Sequence, residues 1–172
     1  MMLQQLVAAL EPWKSVYSNS KVIPAVVTSV HLIALLFGGG LAIAADRATL
    51  RVGRRGAADE PRQLAELRAV HKPVLVALVV LFASGVLLTA ADLETFATSP
   101  VFWVKLGLVT LLLANGLVLE RTESRLRGLS AREIVPTARV RSLWRRLRTS
   151  AVMSVVLWTT TLVAGTLLVN VS

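Results

Sequence analysis

Polar and apolar residues are distributed along this chain in blocks. Apolar runs cover 22–45, 73–91, 101–119 and 150–171, and the segments between them are dense in charge. At about 1.5 Å per residue each run forms a helix of roughly 28 to 36 Å, the thickness of a bilayer's hydrocarbon core. The runs are continuous in Leu, Val and Ala and lack the two-residue alternation of a membrane β-barrel. In lipid only helices and closed barrels satisfy the backbone. The pattern therefore predicts an all-α fold, a four-helix transmembrane bundle forming a single membrane domain over residues 1–172. Ahead of it, Leu3, Leu6, Val7 and Leu10 recur at helical spacing. They predict an amphipathic helix lying on the outer surface and ending at Pro12, with Trp13 and Tyr17 following at interfacial depth.

Finer features sit between and within the blocks. The stretch 50–58, rich in Arg and Gly, reads as a mobile loop. Asp59 and Pro61 then look like a cap and helix start, leading through Leu64, Leu67 and His71 into the second span, with a kink expected at Pro73. The short link 92–100 predicts that spans two and three are antiparallel neighbours. Leu143, Trp144 and Leu147 form an apolar stripe among arginines and predict a helix on the membrane surface before the fourth span enters. Gly38-Gly39-Gly40 in the first span allow close helix approach, a kink or local unwinding, close packing being the plainest of these, and Ser154, Trp158, Thr161 and Gly165 are read as a packing face of the fourth.

Charge adds orientation. The chain carries 19 Lys and Arg against 10 Asp and Glu, a net charge of +9. Nearly all the excess lies in 46–72 and 120–149, which emerge on one face, whereas the other face has Lys14, Lys21 and Lys105. The positive-inside rule then makes both loops cytoplasmic and places both termini outside. The arginines are expected to lie against anionic lipid headgroups. Nucleic-acid binding is not supported, because no stacking platform or groove-reading element accompanies the charge. Cysteine is absent, which removes disulfides, thiolate metal sites and thiol catalysis.

Candidate chemistry reduces to a few polar residues. His31 lies nine positions inside the first span. An intramembrane ionisable side chain is a functional candidate, here as haem ligand, proton relay, metal ligand or quinone contact; the alternative is an imidazole bonded to Thr28 or a neighbouring helix. His71 sits at the inner edge of the second span. The two histidines are candidate ligands for a haem b, although a regular bundle sets them at depths too different for one iron. Lys105 is shallow enough to snorkel outward and pair with Asp92 or Glu94. Asn115 lies deeper, and His31, Lys105 and Asn115 could line one polar track. Asp46-Arg47 is read as a helix end pairing with the basic loops. No phosphate loop, zinc-protease helix, serine elbow or intramembrane carboxylate pair is present, so an enzyme is weakly supported.

The run 22–51 with His31, its glycines and Asp46-Arg47 resembles the opening of a bacterial four-helix membrane family of unknown function, loosely labelled copper-resistance D-like. Leu67-Arg68, His71, Ser84-Gly85, Phe102, Lys105 and Asn115 extend the resemblance over roughly the first two-thirds of the chain, and the last span is generic. The resemblance implies a four-span inner-membrane protein in which His31 and His71 are the recurrent histidines. The expected function is a non-enzymatic accessory subunit or binding module with a polar site around His31, working with a membrane-complex partner or a second copy. A b-type haem protein for electron transfer and a metal or proton permease are the alternatives.

Overall fold

The computed structural model describes residues 2–55, 60–130 and 137–171. Six helices follow one another: α1 (Met2–Asn19), α2 (Val22–Arg55), α3 (Glu60–Ala91), α4 (Leu93–Thr98), α5 (Pro100–Ser130) and α6 (Thr137–Val171). No strand occurs among the described residues. Four helices, α2, α3, α5 and α6, are long and apolar enough to cross a membrane.

These four are longer than the apolar runs. They hold 34, 32, 31 and 35 residues. Each is therefore about 50 Å long, some 20 Å more than a hydrocarbon core requires. α2 continues helically to Arg55, through the first part of the expected loop, while Asp59 lies outside the described residues. α5 continues to Ser130, and α6 is already helical at Thr137.

The overhanging turns build a core of their own. Leu64 and Leu67 of α3, Leu126 of α5, and Trp144 and Leu147 of α6 are buried against one another, with Ala45, Leu119, Val140 and Leu143 packed around them. The stripe of Trp144 and Leu147 is thus covered by protein, and the segment from 138 to 149 does not form a separate surface helix. A second cluster, Leu112, Leu157 and Trp158, lies within the spans and is surrounded by Leu35, Ala42, Ile43, Leu78, Leu81 and Leu108.

Close helix packing runs in the order α3, α2, α6, α5. α3 and α5, expected as antiparallel neighbours, are not among the closely packed pairs. The link between them contains α4, and the two helices meet through side chains, as where His71 faces Glu120. α4 is tied to the start of α5 by Trp103 Nε1, which donates to the Ala97 carbonyl at 3.0 Å, and by Phe96 against Phe102. α1 does not end at Pro12. It continues to Asn19 and docks on α3, where Trp13 Nε1 donates to the Leu87 carbonyl at 3.0 Å.

Two glycines explain how tightly α2 is held. A Cβ on Gly38 would lie 3.0 Å from Ala77 Cβ, and one on Gly39 3.1 Å from the Trp158 ring, whereas one on Gly40 would meet nothing within 4 Å. Gly38 admits α3, and Gly39 admits the indole of α6. Gly38→Ala should therefore lower stability by about 1–3 kcal/mol, because Ala77 is fixed to a helix backbone and cannot yield. Gly40→Ala should be neutral or stabilising by about 0.5–1 kcal/mol, since the helix loses only a flexible residue. Thermal unfolding of the two variants in one detergent separates these outcomes.

A candidate polar site among the four long helices

In the half of the bundle away from the arginines, α2, α3 and α5 each carry a polar side chain turned toward a neighbouring helix. His31 of α2 is half-buried, and its Nδ1 lies 2.9 Å from Ser84 Oγ of α3. Ser84 is buried, and its hydroxyl donates back to the Val80 carbonyl at 2.7 Å, with the Leu81 carbonyl at 3.1 Å. A hydroxyl has one proton: where it stays on the Val80 carbonyl, His31 Nδ1–H is the donor to Ser84 and Nε2 keeps its lone pair. Gly85 leaves room for it: a Cβ there would sit 3.4 Å from His31 Cε1.

Lys105 of α5 does not turn outward to Asp92 or Glu94. Its Nζ lies 3.5 Å from where a Cβ on Gly165 of α6 would stand, and it acts electrostatically on His31. The ion pairs among the described residues are Arg62–Glu66, His71–Glu120 and Arg127–Glu123, so no carboxylate neutralises Lys105. Thr161, one turn before Gly165 on α6, is 4% exposed, and its Oγ1 has no hydrogen-bond partner.

Asn115 does not join them. Its Nδ2 donates to the Ser150 carbonyl at 2.9 Å, and Ser150 Oγ donates to Asn115 Oδ1 at 2.8 Å, which staples α5 to α6. The expected track of His31, Lys105 and Asn115 is therefore divided, with two members together and the third elsewhere. His71 lies far off, at the basic end, its Nε2 3.5 Å from Glu120 Oε1. Ser84, which holds His31, is 13 residues from His71 on the same continuous helix, or about 20 Å. Two metal–nitrogen bonds of about 2 Å cannot bridge that gap, so the histidines do not share one haem.

One interior carboxylate escaped the sequence reading. Asp46 is no helix end, because α2 continues past it to Arg55. It is 3% exposed, and its Oδ2 has no hydrogen-bond partner. Beside it Thr49 Oγ1 donates to the Ala45 carbonyl at 3.0 Å and receives Gln63 Nε2 at 3.1 Å. The signal was the helical spacing of Asp46 and Thr49, legible only if the helix is taken to continue. Among the described residues no three His, Cys, Asp or Glu side chains gather as a metal site would require.

The fold and site define a class: a helical bundle built to cross a membrane, with ionisable groups turned inward in each half. Residues 16–170 match the family of unknown function DUF6644, and the chain belongs to that family. The match includes the fourth span, beyond the two-thirds over which the resemblance was drawn. No curated protein and no solved structure matches the chain.

Proposed function

We propose that this is a non-enzymatic, multi-pass protein of the bacterial inner membrane, a binding module or accessory subunit whose site is formed by His31, Ser84 and Lys105. Both termini lie outside, and the arginine-rich end projects into the cytoplasm against anionic headgroups, as the charge asymmetry of the loops supports. The observation that carries the functional reading is the His31–Ser84 pair joining α2 to α3, with Lys105 of α5 turned inward on α6 and paired with no carboxylate among the described residues. Polar groups inside a bilayer are costly and tend to be kept for function. His31 bonded to Ser84 would serve as interhelical glue, but an ammonium without a carboxylate and a buried hydroxyl without a partner do nothing for packing.

One observation favours a second reading, a single-histidine haem b site. Where His31 anchors its Nδ1 proton on Ser84, it leaves Nε2 free, which is the arrangement of ligating histidines. His71 has no part in that reading. A copper role is poorly supported, since the soft sulfur ligands it favours are missing: the chain has no Cys and 3 Met without a spaced motif.

The test compares wild type with His31→Ala, purified in mild detergent. Oxidised and dithionite-reduced spectra are recorded, and an organic extract is analysed by mass spectrometry. The expected result is a colourless protein with a stoichiometric lipophilic molecule that falls at least tenfold in the variant. A Soret band that shifts on reduction would establish haem instead. Identical, ligand-free extracts with no copurifying partner would end the proposal.

A further inference from the structure

At the basic end of the bundle, one edge is joined differently from the others. α2 packs closely on α3 and on α6, and α5 on α6, whereas α3 and α5 are not a closely packed pair. Side chains make that join. Leu64 and Leu67 of α3 share the cluster that contains Leu126 of α5. One turn after Leu67, His71 Nε2 lies 3.5 Å from Glu120 Oε1.

Charge converges on this contact. Glu123 follows Glu120 by three residues on α5, which sets the two carboxylates on one face. The Glu123 side chain is 3% exposed and feels the charge of both Glu120 and His71, while Arg127 pairs with it from one turn further on. On α3 itself, Arg68 and Lys72 flank His71; both are exposed, so water and salt screen their repulsion. The register that sets His31 at Ser84 and Gly38 near Ala77 brings Ala44 of α2 across from His71, with Asp46 the nearest acid on that helix. α6 sends Trp144 and Leu147 into the adjoining cluster and leaves Arg145 and Arg146 exposed.

We infer that His71 is a proton-operated latch between α3 and α5. Protonated, it holds α3 against the Glu120–Glu123 face; neutral, it leaves those two carboxylates to repel each other, and the edge loosens over Leu67 and Leu126. Histidine suits the task because its charge ordinarily changes between about pH 5 and 8. At 3.5 Å the contact is long for a hydrogen bond, so charge decides its strength. The closed edge has a cation–carboxylate contact that the open edge lacks, and therefore binds the proton more tightly. Its population is greatest in acid and falls as pH rises through the histidine range. The side chains of His71 and Glu120 are 37% and 48% exposed, so water shares the field and the change is modest, about two- to fivefold. The latch stands apart from the site at His31 and does not depend on it.

The chain has no cysteine of its own, so a pair introduced at the exposed positions Ala69→Cys on α3 and Ser124→Cys on α5 reports this edge alone. The full chain, spin-labelled at both and held in phosphatidylcholine nanodiscs, is examined by pulsed electron paramagnetic resonance at about pH 5.5 and about pH 8, on either side of the ordinary histidine range. The labelled parent should show a longer-distance population that grows about two- to fivefold at the higher pH. His71→Gln should show the high-pH distribution at both values, and His71→Lys, a permanent cation, the low-pH one at both. Asp46→Asn should keep the response. Circular dichroism and gel filtration confirm that each variant folds; should His71→Gln not do so, Glu120→Gln carries the test and should flatten the response. A parent indifferent to pH, or a response that survives His71→Gln, would overturn the latch. A response lost in Asp46→Asn but kept in both His71 variants would overturn it in favour of the carboxylate on α2.

Discussion

Leu147→Ala should destabilise the protein by about 3 kcal/mol, within the roughly 2–5 kcal/mol range of fully buried Leu truncations. Leu147 is 0% exposed and sits between Leu64, Leu67, Leu126 and Trp144, where α3, α5 and α6 meet beyond the spans. Its side chain touches rigid helices on several sides, so the cavity left behind closes only in part. The loss should also be local. Hydrogen exchange should quicken in 138–149 and around Leu64 and Leu126, while the amides near His31 and Ser84 keep their protection. Arg146→Ala, exposed beside it, should stay within about 0.5 kcal/mol of wild type. Were 138–149 a helix lying on lipid, Leu147→Ala would weaken membrane contact and leave exchange around Leu126 unchanged. The exchange map therefore decides between the two arrangements.

Arg127→Ala is expected to cost about 2 kcal/mol, by a different route. Glu123 has a side chain only 3% exposed, and Arg127, one turn further along α5, is its ion-pair partner. Removing the arginine leaves a buried carboxylate without compensation, which costs more than the pair itself contributes. The figure lies below the 3–5 kcal/mol typical of fully buried pairs because the Arg127 side chain is 37% exposed and water can partly replace it. Glu123→Gln should cost less, since a neutral amide tolerates the site. The double variant should be more stable than the sum of the two losses allows, because residues in contact are coupled. Chemical or thermal unfolding of the four proteins in one detergent reads the cycle.

The four long apolar helices and the all-α class were legible because hydrophobic runs of bilayer length have few other uses, whereas α4, within the link, was not. Nor were the helix ends. Turns from 46 to 55 and from 138 to 149 are rich in Arg, which suits a loop at a membrane surface as well as a solvated helix. What separates the two is whether the sparse leucines and Trp144 find partners, and those partners lie on other helices. Depth was readable for Lys105, but direction was not. Snorkelling and turning inward use the same residue at the same height, and the choice follows from the glycine at 165, more than fifty residues later. Asn115 was read as part of a polar track, and its actual partner, Ser150 on another helix, lies 35 residues away. The approach of Gly38 and Gly39 to their neighbours agrees with the close packing expected of that glycine run.

The order α3, α2, α6, α5 has one more consequence. The chain consists of two hairpins, one of α2 with α3 and one of α5 with α6, joined face to face along α2 and α6. His31 and Ser84 belong to the first hairpin, Lys105 and Thr161 to the second. The close contact between the hairpins is therefore made by α2 on α6, where Gly39 lets the Trp158 indole lie against the facing helix, and any motion of one hairpin against the other would have to break it.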